Sequence, residues 1–336
     1  LREVLTKPAQ GRRLINLRTP DLTIPPTPLV AVLMSTYNGE KYLEQQIETI
    51  LQQKDVTVEL FIRDDGSTDS TLQILNSYSK AFTNIHVDFG NNLGLAKSFM
   101  QLIRNTETTA QYFALSDQDD IWDERKLLSA IKIVQAEETA SPHIPLLYSG
   151  SSRVVDSKGQ FLRIHNTVNS SCSKYAMAIT PVANGHTFLF NQKLQTYLKR
   201  HHPKYLLSHD IYILLLACWL GKILFDNNAY VSWRRHENAV STTGSGGINH
   251  VKGLLRALRV RFFGTSVNSV ERYCNEIVAT FHSEMSDSEK AKIQTLVSYR
   301  QSSKNRMTLL LDRDYSRGMP IKSQLVYFFA VVLGRL

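Results

Sequence analysis

The stretch "LVAVLMSTYNGEKYLEQQIETILQQKDVTVELFIRDDG", residues 29–66, decides the fold class. Its opening, 29–37, is a nearly continuous apolar run that stops at Asn38-Gly39, the pattern of a strand covered on both faces. Tyr42, Leu43, Gln46, Ile47, Ile50 and Leu51 follow the spacing of one helical face, which predicts an amphipathic helix over 40–53. "VTVELFIRDDG" then reads as a second strand. Strand, helix and strand within so short a span define a βαβ unit.

Outward from that unit the alternation continues. Ser67-Thr68-Asp69 offers a cap for a helix carrying Leu72, Leu75 and Tyr78. "IHVDFG" is a third strand, Leu95, Phe99, Leu102 and Ile103 mark the next helix, and "QYFALSD" is a fourth strand. This rhythm specifies right-handed crossovers and a mostly parallel sheet, in which ligands sit outside the carboxyl ends of the strands. Three polar clusters fall at that edge: Thr36-Tyr37-Asn38, Asp64-Asp65-Gly66-Ser67 and Asp117-Gln118-Asp119-Asp120. After a helix with Leu127, Ile131 and Val134 the pattern becomes mixed. It contains a hairpin ("LLYSGSSRVVD", then "QFLRI"), the strand "GHTFLFN", a helix from Leu194 to Arg200, the buried helix "HDIYILLLACWLG" and a last strand or hairpin, "KILFDNNAYVSWRRH".

The proline-rich residues 1–28 read as an arm, 29–241 as one α/β domain, and the Gly/Ser stretch at 242–247 as the start of a basic, mainly helical region, 242–336. Residues 234–336 hold 16 Lys+Arg against 8 Asp+Glu, so most of the net charge of +9 lies there. Within it, 251–263 places Leu254, Leu255, Leu258, Val260, Phe262 and Phe263 opposite Lys252, Arg256, Arg259 and Arg261, and two or three further helices follow. That segment suits either an anionic membrane surface or packing on the domain with a solvated basic face. No aromatic-interleaved basic patch or reading helix speaks for nucleic acid. Three widely spaced cysteines favour neither a disulfide framework nor a zinc knuckle and fit a reducing compartment. The longest apolar runs are about half of what a bilayer span requires, and no leader is visible.

Four groups carry candidate chemistry. At Asp64-Asp65-Gly66-Ser67, helix capping explains one carboxylate, whereas Asp65 could accept the imide N–H of a pyrimidine base. In "LSDQDDIWDERK", 115–126, a helix start near Trp122 accounts for Asp123 and Glu124 but not for Asp117, Asp119 and Asp120. Crowded carboxylates are relieved by a divalent cation with oxygen ligands, and Asp117-x-Asp119 suggests a metal–diphosphate site, although a D-x-D alone is common. Asp210, ahead of an apolar helix, is either an N-cap or a general base. Trp233-Arg234-Arg235-His236 is either surface charge or a cover over an anion.

In order, "STYNGEKYLEQQIETILQQ", "IRDDGSTDST", "SDQDDIW", "GHTFLFN", "SHDIY" and "WRRHENAV" resemble the family 2 glycosyltransferases of GT-A fold, an α/β, Rossmann-like, mostly parallel sheet with flanking helices. The resemblance spans about Val30 to Ser241 and is nearest to a bacterial, rhamnosyltransferase-like subset of surface polysaccharide (O-antigen, capsule) assembly. It implies inverting transfer from a nucleoside diphosphate sugar, dTDP-rhamnose for preference, to a glycan acceptor expected to be lipid-linked. Ser35, Tyr37, Asp65 and Lys97 would then hold the nucleoside. Asp119 would hold Mg²⁺ or Mn²⁺, with Asp120 the other choice of ligand and Asp117 on the ribose or sugar. His236 would complete the metal shell or touch the diphosphate, Arg234 or Arg235 would steady the leaving group, and Asp210 would be the base. Arg235 and Glu237 depart from the Gln and Gly of many relatives, which leaves the donor open to UDP-hexoses. The expected location is cytoplasmic, peripheral on the inner membrane. The competing classes are a nucleotidyltransferase, which lacks its Gly-rich basic loop here, an oxidoreductase, which lacks G-x-G-x-x-G, and a non-catalytic membrane-apposed scaffold.

Overall fold

The structure is a computed structural model that describes residues 27–165, 172–180, 185–236 and 269–336. The sequence alternation becomes β1 (Leu29–Thr36), α1 (Leu43–Leu51), β2 (Thr57–Asp64), α2 (Thr71–Ala81), β3 (Ile85–Phe89), α3 (Leu95–Asn105) and β4 (Tyr112–Ser116). β1 pairs in parallel with β2 and β4, and β2 with β3. The chain continues through β5 (Ile121–Trp122), α4 (Lys126–Ala140), β6 (Leu146–Val155), β7 (Phe161–His165), α5 (Lys174–Ile179), β8 (Leu189–Asn191), α6 (Gln192–Arg200), α7 (His209–Leu220) and β9 (Lys222–Arg234). The sheet order is β3-β2-β1-β4-β8-β6-β9-β5, with β7 paired to β6. β8 runs against β4 and β6, and β9 runs with β6, so the sheet is α/β and mostly parallel.

Period-two burial explains why these strands are apolar throughout. Ala31 and Leu33 of β1, Phe113 and Leu115 of β4 and Leu147 of β6 face one core, which α3, α6 and α7 cover. Val30, Val32, Met34, Tyr112, Ala114, Leu146 and Tyr148 face the other, beneath α1 and α4. The helix α7, apolar all round, lies inside the first core because a second helical layer covers it. That layer is α8 (Ser269–Phe281), α9 (Asp287–Ser298), α10 (Ser303–Leu311) and α11 (Ile321–Val332). Tyr273, Ile277, Phe281, Tyr315 and Tyr327 join the same apolar cluster as Tyr212 and Trp219.

Several local expectations are corrected. The segment expected to open a helix near Trp122 is instead β5, antiparallel to β9, and α4 begins at Lys126 because Trp122 is drawn into the sheet's core. Ser67 does not cap α2: its hydroxyl binds Asp64, and the helix starts later, with Asp69 Oδ1 accepting from Thr71 N at 3.0 Å. Asp210 is not the N-cap of α7, a position Ser208 occupies. Four helices, not two or three, make up the described C-terminal layer. Residues 1–26 of the 1–28 arm, the Gly/Ser stretch at 242–247 and the amphipathic segment 251–263 lie outside the described residues.

Candidate active site

The carboxyl edge is built by turns that lock onto one another. Asn38 adopts φ 47°, and its Oδ1 accepts from Thr68 N at 2.8 Å, tying the turn after β1 to the turn after β2. Gln118 clamps the same turn, accepting from Tyr37 N at 2.9 Å and donating to Tyr37 O at 3.0 Å. A Cβ on Gly39 would stand 2.4 Å from Gln118 Oε1, so a side chain there would displace the Gln118 amide.

A cleft of about 790 Å³ opens between these turns and the start of α7. Its walls include Ser35, Tyr37, Asp65, Asp117, Asp119, Asp210, Arg234 and His236. Lys97, Asp120 and Arg235 are not among its lining residues. Lys97 is exposed on α3, and the Arg235 guanidinium lies 4.7 Å from the centroid of Trp233.

Asp65 is buried and ion-paired with Arg63, and it also accepts from Leu93 N (2.8 Å) and Gly94 N (2.9 Å). Those bonds leave lone-pair capacity on Oδ2 and hold the carboxylate rigidly at the wall. Arg63 also donates to Ser98 Oγ, which is 2.6 Å from Ser35 Oγ, so one buried network supports both nucleoside-side candidates. Tyr37 keeps its ring exposed at the rim.

Asp117 is pushed up to about 7, first by burial and then by the charges of Asp119 and Asp210. Asp120 is fully buried and displaced well above the usual carboxylate range by burial and then by the charges of Asp117 and Asp119. Its Oδ1 accepts from Arg234 N at 3.1 Å, while Oδ2 has no partner. Asp119 instead meets His236, Oδ2 to Nε2, at 2.7 Å. Lys126 is buried with its Nζ 3.5 Å from the Trp122 ring centroid, and burial brings it down to about 7 against the pull of Asp120. Arg234 is committed to structure: its guanidinium donates to Asp119 O (2.9 Å), Ser157 O (3.1 Å) and Gln45 Oε1 (2.7 Å) and stacks over Tyr42.

Asp210 lies in the first turn of α7, where Oδ1 accepts from Ser208 Oγ and from Ile211 N. Among the described residues its Oδ2 takes no hydrogen bond. Beside it, His209 stacks on Phe99 at 4.1 Å and is kept below the usual imidazole range by burial, against the pull of Asp210. Sequence reasoning missed His186, which sits on the 3-10 turn Gly185–Thr187, lines the cleft and is held near 3 by burial and by the charges of Lys126 and His165. Its only sequence signal was the polar pair His186-Thr187 ahead of the apolar "FLF".

A mostly parallel sheet with carboxylates gathered around one cleft at its carboxyl edge has the architecture of a GT-A transferase. Residues 31–198 match the model of Glycosyl transferase family 2, and the chain belongs to that family; it is a glycosyltransferase. The chain is 30% identical over 216 residues to the dTDP-rhamnosyl transferase RfbG of Shigella flexneri, a match covering 61% of this chain and 72% of the relative. It is 32% identical over 114 residues to the putative teichuronic acid biosynthesis glycosyltransferase TuaG of Bacillus subtilis, covering 34% of this chain and 44% of that one. The fold is similar to that of S. aureus TarS 1-349, solved in complex with UDP-GlcNAc, with TM-score 0.54, 17% identity and 90% and 81% of the two chains covered.

Proposed function

We propose that the protein transfers a sugar, with inversion, from a nucleoside diphosphate donor to a glycan hydroxyl during bacterial surface polysaccharide synthesis, with dTDP-rhamnose as donor. The observation that carries this reading is the single cleft lined together by Asp65, Asp117, Asp119, Asp210 and His236. The name of the Shigella flexneri relative supports the choice of donor. Ser35, Tyr37 and Asp65 hold the nucleoside, the last through its remaining lone pair, and Asp117 faces the ribose or sugar.

The residues fit a divalent cation, Mg²⁺ or Mn²⁺. Asp119 and His236 supply an oxygen and a nitrogen side by side, within a crowd of carboxylates where burial and then mutual repulsion lift Asp117. Held by Asp119 and His236, such a cation would supply charge neutralisation for the diphosphate. Asp210 takes the proton from the acceptor hydroxyl as that oxygen attacks the anomeric carbon and the bond to the diphosphate breaks. Arg234 or Arg235 steadies the leaving group; Arg234 lines the cleft while its guanidinium donates to three protein acceptors.

Among the described residues, no helix is long and apolar enough to cross a membrane. A lipid-linked acceptor would place the protein on the cytoplasmic face of an anionic membrane, reached through 251–263. Flotation with anionic vesicles tests that contact: replacing Lys252, Arg256, Arg259 and Arg261 together by Gln should abolish flotation, and unchanged flotation removes the segment from this role. The reaction itself is tested by incubating the full chain and a lipid-extracted acceptor with dTDP-rhamnose, UDP-GlcNAc or UDP-glucose and Mn²⁺. Release of dTDP above the release of UDP is expected, whereas preferential UDP release would replace the donor with a UDP-hexose.

A further inference from the structure

The strand β7 presents a surface that the reaction does not use. Among the described residues it pairs with β6 alone, so its outer edge is open. Phe161, Leu162 and Ile164 are 59%, 56% and 44% exposed along it. Edge strands are ordinarily blunted by charge or covered, so one this apolar marks a place where something binds. Its interruption is Arg163, which is exposed and whose guanidinium makes no hydrogen bond or ion pair among the described residues. The edge connects to the cleft beside Asp210. Arg163 lies across from Val154, and Val154 across from Trp233, so the three side chains share one face of the sheet. Trp233 lines the cleft, its ring tilted against His165 at 5.4 Å and stacked on His186 at 5.2 Å. His186 in turn follows Gly185, which abuts Asp210. Arg234 fastens the turn of the hairpin, donating from Nη1 to Ser157 O at 3.1 Å. Positive charge gathers at this corner: burial, and then the charges of Arg163 and Arg235, hold His165 below the usual imidazole range.

We propose that β7 is the subsite for the carrier of a lipid-linked acceptor, with Arg163 pairing with the carrier's diphosphate while Phe161, Leu162 and Ile164 lie along the first carbons of its chain. The inference rests on the transfer reaction proposed above and adds where the acceptor is held. A guanidinium forks onto phosphate oxygens, and every methylene laid on the strand removes apolar surface from water on both partners. The glycan then runs past Trp233 to Asp210, while the nucleoside of the donor stays with Ser35 and Asp65. A second copy joined edge to edge fits less well, because an antiparallel match centred on Arg163 sets like charges against each other.

The test is calorimetric binding of farnesyl diphosphate, inorganic pyrophosphate and farnesol to the full chain in chelator, which keeps the diphosphate from a metal ion at Asp119 and His236. Farnesyl diphosphate should bind about ten-fold or more tighter than pyrophosphate or farnesol. Arg163→Gln should weaken it about ten-fold, and Leu162→Ser with Ile164→Ser should bring it to the level of pyrophosphate. The three side chains are exposed, so the variants should keep the wild-type melting temperature. With the lipid-extracted acceptor, Arg163→Gln should raise the acceptor KM about ten-fold and leave the donor KM as it is. Farnesyl diphosphate affinity equal to that of pyrophosphate, or unmoved by these variants, overturns the subsite. Loss of flotation on anionic vesicles, or of a dimer, in the Leu162→Ser and Ile164→Ser protein would also overturn it, by giving the strand to the bilayer or to a second copy. Wild-type binding of farnesyl diphosphate without nucleoside diphosphate release from any donor defeats the transferase reading alone, and donor turnover with the variants unmoved defeats this inference alone.

Discussion

Asp210 is the residue on which the proposed chemistry turns. Its carboxylate is fixed by one oxygen to the start of α7, which leaves the other for the acceptor proton. Asp210→Asn keeps the shape and removes the base, so transfer should fall by about 10²- to 10⁴-fold. Donor affinity by calorimetry should change by less than about two-fold, since an uncharged amide in this place disturbs no nucleoside contact. Asp117 carries a second prediction, on stability. Its folded pKa, about 7, lies above its ordinary 3.8, so the metal-free fold binds this proton more tightly than the unfolded chain does. The contribution is fully present below pH 3.8 and is lost as pH rises toward 7. With chelator present, the wild-type melting temperature should therefore decline relative to Asp117→Asn between those limits, by about 2–4 °C for each kcal/mol lost. Melting curves that run parallel for the two proteins would mean that the carboxyl is not strained in the empty site.

At the scale of elements, the site depends on a close approach between α7 and the 3-10 turn that carries His186. A Cβ on Gly185 would stand 3.1 Å from Asp210 Cβ, too tight unless the helix start moves by a few tenths of an ångström. Gly185→Ala should lower kcat on the order of ten-fold while leaving KM for the donor unchanged, because the nucleoside side of the cleft is built from other turns. Gly221, between α7 and β9, is more constrained: a Cβ there would lie 2.0 Å from Pro145 O, and Gly221→Ala should destabilise the fold by about 3 kcal/mol, read by urea melts. The strand–helix order around β1 to β4 was legible in the sequence because apolar runs and helical spacing are local signals. The edge turns that carry Asp65, Asp117 and Asp119 followed from it. What local pattern could not convey was pairing across the chain. The β5 segment reads like a helix start because its acidic residues suit one, but its hydrogen bonds go to β9, more than a hundred residues on. Arg63, in "FIRDD", looks like a solvent-facing strand residue, and only the approach of α3 makes it the buried partner of Asp65 and Ser98. His186 was invisible for the same reason, since its neighbours come from β4's edge and from β9.

At the scale of the whole molecule, the C-terminal helices reach the chemistry through one hydroxyl. Tyr273 of α8 is fully buried, and its Oη accepts from Leu207 N at 2.7 Å and Ser208 N at 3.0 Å, immediately before Asp210. Glu276, one turn further along α8, accepts from Lys204 N and Tyr205 N, both at 2.8 Å. The entry to α7 is therefore held in place in part by α8. Tyr273→Phe keeps the ring packed against Tyr212 and Tyr205 but removes the acceptor of two part-buried N–H groups, a change that costs about 1 kcal/mol if the loop stays put. If the loop relaxes instead, Asp210 shifts with it. Either way kcat should fall while donor KM holds, and the loss should exceed that of Tyr299→Phe, whose hydroxyl accepts from Leu336 N, far from the cleft. Removing 269–336 altogether should be more severe. It uncovers the outer face of α7, and the remaining chain should lose its near-ultraviolet circular dichroism and its cooperative melt. A truncated chain that melts cooperatively and retains donor affinity would show that the sheet and its own helices are sufficient, and that α8 to α11 only cover them.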